Sequence, residues 1–79
     1  MMSIASNEKI LYTVKEVSAL IHTNQAYVYT LIKVGLLPAL KLGSYKIRKS
    51  ALDDFLMQHE GQDLTDPRNI GTIIVKEIL

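Results

Sequence analysis

The sequence predicts a small α+β domain: three short helices, one antiparallel β hairpin and a strand-like C-terminal tail. Three observations carry that prediction. Two runs with apolar residues at helical spacing stand on either side of a tight turn at His22-Thr23-Asn24. After Leu37-Pro38 breaks the pattern, Leu40-Lys41-Leu42 and Tyr45-Lys46-Ile47-Arg48 alternate in strand fashion around Gly43-Ser44. A third helical run begins at Ser50. With 79 residues the chain holds one domain at most, with a modest core and a thin stability margin.

The first helix has a legible start. Thr13 followed by Glu16 is a capping box, in which the hydroxyl accepts from the N–H of Glu16 and the carboxylate reaches back to the N–H of Thr13. Val14, Val17, Leu20 and Ile21 then share a face, leaving Lys15, Glu16 and Ser18 outward. Leu11 and Tyr12 before the cap read as a short strand or as a staple against that face. His22-Thr23-Asn24 is short enough to be only a helix–helix corner, with His22 where a left-handed residue is often needed. A metal role for His22 lacks partners, since the only other histidine is His59 and no ligand cluster adjoins either.

Thr23 or Asn24 caps a second helix, which Gly35 stops. Spacing at 100° per residue groups Val28, Leu31 and Ile32 on a buried stripe. Opposite lie Ala26, Tyr29, Thr30 and Lys33, with Gln25 at the exposed start. Such amide, phenol, hydroxyl and ammonium groups can hydrogen-bond base edges or phosphates in a major groove. Tyr27 sits on the shoulder of the stripe and is read as packing, Tyr29 as exposed and contacting.

In the hairpin, a two-residue turn at Gly43-Ser44 is expected to face Leu40, Leu42 and Ile47 to the core and to leave Lys41, Lys46 and Arg48 wet. A basic hairpin directly after the second helix is a wing, suited to the phosphate backbone or the minor groove. Ser50 is expected to cap the third helix, with Asp53 and Asp54 in its first turn, Leu52, Phe55 and Leu56 facing inward, and Gly61 as its stop. Gln62 to Asn69 reads as a polar linker. The apolar, β-branched run from Thr72 to Ile78 reads as a strand that adds to its own sheet or pairs across a dimer. The expected organisation is therefore a flexible stretch over 1–10, a domain of two helices joined by a turn, a hairpin and a third helix over 11–61, and a linker with apolar tail over 62–79.

Charge points to a partner. The net charge of +1 conceals five basic residues between positions 22 and 50 (Lys33, Lys41, Lys46, Arg48, Lys49) with no acid among them, whereas residues 51–79 are acidic. Positive charge gathered on one helix and one hairpin suits a polyanion. Cysteine is absent, which excludes disulfides and thiolate metal sites. There is no nucleophile–base pairing, carboxylate dyad, Gly-rich phosphate loop or metal set, so neither catalysis nor a cofactor is expected. The first residues do not pattern as a signal peptide and no apolar run reaches the ~20 residues that span a bilayer, so a soluble cytoplasmic protein is expected.

From Leu11 to Leu56 the chain resembles the small winged-helix family of phage and transposon excisionases, related to the MerR-type regulators. The resemblance lies in Tyr12-Thr13-Val14-Lys15-Glu16-Val17-Ser18-Ala19-Leu20-Ile21, in Val28 to Ala39, and in the wing through to Ser50-Ala51-Leu52-Asp53-Asp54-Phe55-Leu56. It implies a winged helix-turn-helix whose second helix enters the major groove while the wing lies against an adjacent minor groove. Carried over by position, it implicates Gln25, Ala26, Tyr29, Thr30 and Lys33 on the helix and Lys41, Ser44, Tyr45, Lys46 and Arg48 on the wing. Two positions depart from the family's pattern: Thr30 stands where Arg is common, and Gly43-Ser44-Tyr45 is a less basic tip. Both lower the expected affinity, which favours a dimer or a helper protein.

The leading expectation is an accessory DNA-binding factor of a mobile element that binds double-stranded DNA beside an integrase's sites and bends it. A small transcriptional regulator would use the same surface. A third reading, from a different class, is a protein-interaction module that kept the fold and lost DNA, suggested by the limited positive charge and the apolar tail.

Overall fold

The computed structural model describes residues 9–73. The expectations for 1–8 and for the tail over 74–79 lie outside the described residues. In chain order the elements are β1 (Leu11–Thr13), α1 (Val14–Leu20), α2 (Gln25–Lys33), β2 (Leu40–Leu42), β3 (Ser44–Arg48), α3 (Lys49–Gln58), β4 (Gln62–Asp63) and β5 (Gly71–Thr72). The expected α+β architecture of three helices and a hairpin is present. Leu11-Tyr12-Thr13 is a true strand rather than a staple, so the hairpin becomes a three-stranded antiparallel sheet ordered β1-β3-β2.

The core sits between the inner face of this sheet and the helices: Val14, Val17, Val28, Leu31, Leu37, Ile47, Leu52 and Phe55 are buried together. Leu37 belongs to it although it lies next to the Pro38 break, because the turn after α2 swings it back under the helices. That turn is specified by hydrogen bonds. Gly35, at φ 85°, donates to Ile32 O at 3.1 Å and Leu36 donates to Leu31 O at 3.0 Å. These are the two bonds of a Schellman cap. The corner after α1 repeats the arrangement with His22 in the left-handed position at φ 60° and Thr23 donating to Ser18 O at 2.8 Å. The capping box at Thr13 and Glu16 is formed in both directions.

Several faces differ from the expected ones. On α1 Leu20 is 52% exposed, whereas Ser18 is buried. Ser18 tolerates burial because its hydroxyl donates to the Lys15 carbonyl at 2.7 Å. On α3 Leu56 is exposed, as is Met57 beside it. That helix also starts earlier than Ser50: Arg48 is the N-cap, without a side-chain bond, and neither Asp53 nor Asp54 lies in the first turn. The cause is continuity, since β3 runs directly into α3. The Lys49 amide finds its acceptor in the Ile10 carbonyl at 2.9 Å, so no side-chain cap is needed there. The helix ends at Gln58, ahead of Gly61.

The segment read as a linker is also structured. Gln62 and Asp63 pair with Thr72 and Gly71 in a two-stranded ladder separate from the main sheet. The described start of the tail strand therefore pairs within its own chain, onto the supposed linker. Leu64 in that segment packs against the core, a contact its polar neighbours mask in the sequence.

Two outcomes test this account. Leu31 is fully buried, so Leu31→Ala should lower unfolding free energy by about 2–5 kcal/mol in urea denaturation; an unchanged midpoint would place Leu31 outside the core. The Glu16 carboxylate accepts from the Lys9 ammonium and from the Thr13 amide, and these bonds hold its pKa below the ordinary carboxylate value. Its contribution is present at neutral pH and is lost as pH falls through that lowered pKa. Glu16→Gln should therefore melt below the parent at pH 7, with the gap closing on acidification; a gap constant with pH would count against the ionised carboxylate as its source.

Candidate nucleic-acid interface

Helix α2 is set up by its two ends. Asn24 rather than Thr23 is the cap, its Oδ1 accepting from the Tyr27 amide at 2.9 Å, and the Gly35 turn closes the other end. Val28 and Leu31 anchor the inward stripe. Gln25, Ala26, Tyr29 and Lys33 are consequently exposed, and Thr30 is half-buried on the flank. The Thr30 hydroxyl donates to the Ala26 carbonyl at 3.1 Å. It thus presents only acceptor lone pairs to anything outside.

Tyr27 is half-buried and packs on the core, and its hydroxyl donates to the Leu64 carbonyl. Burial, followed by the charges of Asp63 and Asp66, pushes its pKa up, so the phenol stays protonated and keeps this bond. Tyr29 instead reaches across to the wing. Its ring meets Tyr45 edge-on, with centroids 6.1 Å apart and planes at 62°. Lys41 Nζ lies 4.4 Å from the Tyr45 ring centroid, a cation–π distance. Three residues named from sequence, one on the helix and two on the wing, thus form one contact.

The wing itself differs from expectation by one residue of register. Leu42 lies opposite Ser44, Lys41 opposite Tyr45 and Leu40 opposite Lys46, with Gly43 alone at the apex at φ 80°. A two-residue turn would have paired Leu40 with Ile47; the one-residue shift turns every β2 side chain to the other face. Leu40 and Leu42 therefore lie outside the core, 42% and 58% exposed, while Ile47 is buried. The basic residues are divided as well. Lys41 shares the inner face with Tyr45, whereas Lys46 and Arg48 share the outer face with Ser44, and Lys46 Nζ is 2.8 Å from Ser44 Oγ. The sequence offered one warning of this: Gly43 is the only residue at the turn that takes a positive φ without strain.

Lys49 is engaged in an exposed i,i+4 pair with Asp53 at 3.9 Å, of little energetic weight. His22 serves the corner. His59 Nδ1 lies 2.6 Å from Gln62 Oε1 and its ring tilts against Phe55. Among the described residues no group of three or more potential ligands surrounds a metal position, and no helix is long and apolar enough to cross a membrane.

With this geometry in view, the chain matches the model of the helix-turn-helix domain family over residues 11–60. The matched stretch holds everything from β1 through α3, and the chain belongs to that family, which includes excisionase-like small DNA-binding domains. No curated protein and no solved structure matches the chain.

The outer face of the wing carries charge in place of base-reading amides. Lys46→Ala and Arg48→Ala should each weaken binding to all duplexes alike and lower the slope of log affinity against log salt by about 0.9. Fluorescence anisotropy across a salt series measures both. An altered sequence preference with an intact slope would make the wing cations readers of bases.

Proposed function

From membership of the helix-turn-helix family, we propose that this protein binds double-stranded DNA through the outer face of α2 and the wing, as an excisionase-like accessory factor. The proposed role is to occupy sites beside those of an integrase in a mobile element and to bend the DNA so that excision is favoured. It is a binding protein of the cytoplasm and not an enzyme. The observation that carries the reading is the Tyr29–Tyr45–Lys41 contact, which makes helix and wing one continuous surface. Lys33 is exposed on α2 and Lys41 lies on the wing beside Tyr45, while Lys46 and Arg48 lie on the opposite face of the wing; the sequence has no acidic residue between positions 24 and 50.

Each proposed residue has a role consistent with its chemistry. Gln25 and Thr30 read base edges, Lys33 takes a phosphate at the C-terminal end of the helix, and Ala26 allows close approach. On the wing Lys46 and Arg48 take phosphates, with Ser44 orienting Lys46, while Tyr45 and Lys41 hold the wing against Tyr29. Because the Thr30 hydroxyl already donates to Ala26, it accepts, and its partner is an exocyclic amine of adenine or cytosine. A short helix and few cations give modest affinity, which a second copy or the integrase itself would supplement.

Selection from a random duplex pool, followed by location of the enriched sequence in the host genome, tests the role. Sites adjoining integrase sites, with excision stimulated in the presence of that integrase, support it. Sites over promoters alone would replace it with transcriptional regulation, and failure to enrich any sequence would overturn DNA reading. On single-base variants of the selected site, Gln25→Ala and Thr30→Val should relax discrimination at particular positions by about 1–3 kcal/mol. Uniform weakening across the panel would reduce both to backbone contacts.

A further inference from the structure

We propose that Leu42 is an apolar wedge that enters the DNA minor groove at the wing tip, opens a base step and so supplies the bend; this rests on the DNA-binding reading above. The register places Leu42 at the hairpin apex on the outer face, opposite Ser44 and next to Gly43. Of these three residues only Leu42 carries a large side chain. It is 58% exposed, and it belongs neither to the buried core nor to the partly buried residues packed on it. The apex projects into open space, since a Cβ built at Gly43 would meet nothing within 4 Å.

The surroundings of Leu42 select the occupant. Lys41 precedes it, Lys46 and Arg48 follow on the returning strand, and no acid lies between positions 24 and 50. Of these cations only Lys46 shares the outer face near the tip, its Nζ 2.8 Å from the Oγ of Ser44 opposite Leu42. An apolar tip flanked by a cation is complementary to a groove with phosphates on its walls and stacked bases at its floor. The minor groove, about 6 Å wide, admits a thin hairpin apex where a helix would not fit. Inserted Leu side chains in such grooves unstack a step and kink the duplex. The tip is also held in place. Tyr45, two residues beyond the apex, is fixed against Tyr29 of α2 at 6.1 Å, so a helix seated in the major groove delivers the wing to a set position alongside.

The consequence is a division of labour along the wing. Lys46 and Arg48 contribute salt-dependent affinity, while Leu42 contributes deformation and with it a preference for flexible steps such as TA or CA/TG at the insertion point.

The test uses the full chain and the duplex enriched from the random pool, labelled at both ends for energy transfer, with parent, Leu42→Ala and Lys46→Ala proteins. Thermal melting is run alongside and should be unchanged for Leu42→Ala, because the residue is exposed. The parent should bend the duplex by about 20–90°. At saturating protein, Leu42→Ala should reduce the bend to about half or less with an unaltered salt slope, while Lys46→Ala should keep the bend and lose slope. Replacing the flexible step under the wing by an A-tract should weaken the parent more than Leu42→Ala. A parent that binds without bending, or a Leu42→Ala variant that bends fully, overturns the wedge and leaves DNA binding standing. If instead Leu42→Ala dissolves a dimer seen in sedimentation while the bend persists, the tip is a contact between copies and the wedge is wrong. A parent that enriches no duplex removes the DNA-binding reading and the wedge with it.

Discussion

Strand β3 is the constraint on which the remaining elements depend. It is the shared partner of β1 and β2, and it continues without a loop into α3. Its alternation serves three purposes at once: Ile47 fills the core beneath the helices, Tyr45 reaches α2, and Lys46 and Arg48 face water. Removing the pairing would therefore do more than loosen a hairpin. It would release the N-terminal strand, the amide acceptor that starts α3, and the wing's hold on the helix. A domain with a core this small concentrates its tertiary information in few residues, and here most of it passes through five consecutive positions.

The helices are oriented by turns rather than by extensive packing. Two successive Schellman-type ends, one at His22 and one at Gly35, satisfy the terminal carbonyls of α1 and α2 and redirect the chain sharply. The first of them uses a residue that carries a side chain in the left-handed region, at a cost glycine would avoid. Its effect is to fix the angle at which α2 presents its outer face. The capping interactions at Thr13 and Asn24 mark where each helix begins, so the start of α2 is specified by local bonds.

These local devices explain what could be read from sequence. The capping box, the left-handed His22, the stop at Gly35, the buried Val28 and Leu31 and the outward Tyr29 all follow from interactions within a few residues. What could not be read depended on long-range geometry. Leu40 and Leu42 alternate with Lys41 in a way that suits either face, and the choice was made by the register across Gly43. Leu64 lies in a polar stretch yet packs on the core because Tyr27, distant in sequence, donates to its carbonyl. The start of α3 was hidden because its first amide is satisfied by Ile10 on another strand, leaving no local cap to recognise. The composition of the interface was thus legible, whereas the division of its cations between two faces of the wing was not.

That division has an electrostatic companion at the other end of α2. Tyr27 lies in the first turn of the helix, where burial, and after it the charges of Asp63 and Asp66, raise its pKa. Those carboxylates are brought there by the segment that carries β4 and Leu64. The N-terminal end of α2 therefore has two carboxylates near it, while its C-terminal end carries Lys33. The segment that carries β4 is thus tied to the first turn of α2 through Tyr27 and Leu64, while the basic residues of the interface lie at the helix's other end and on the wing.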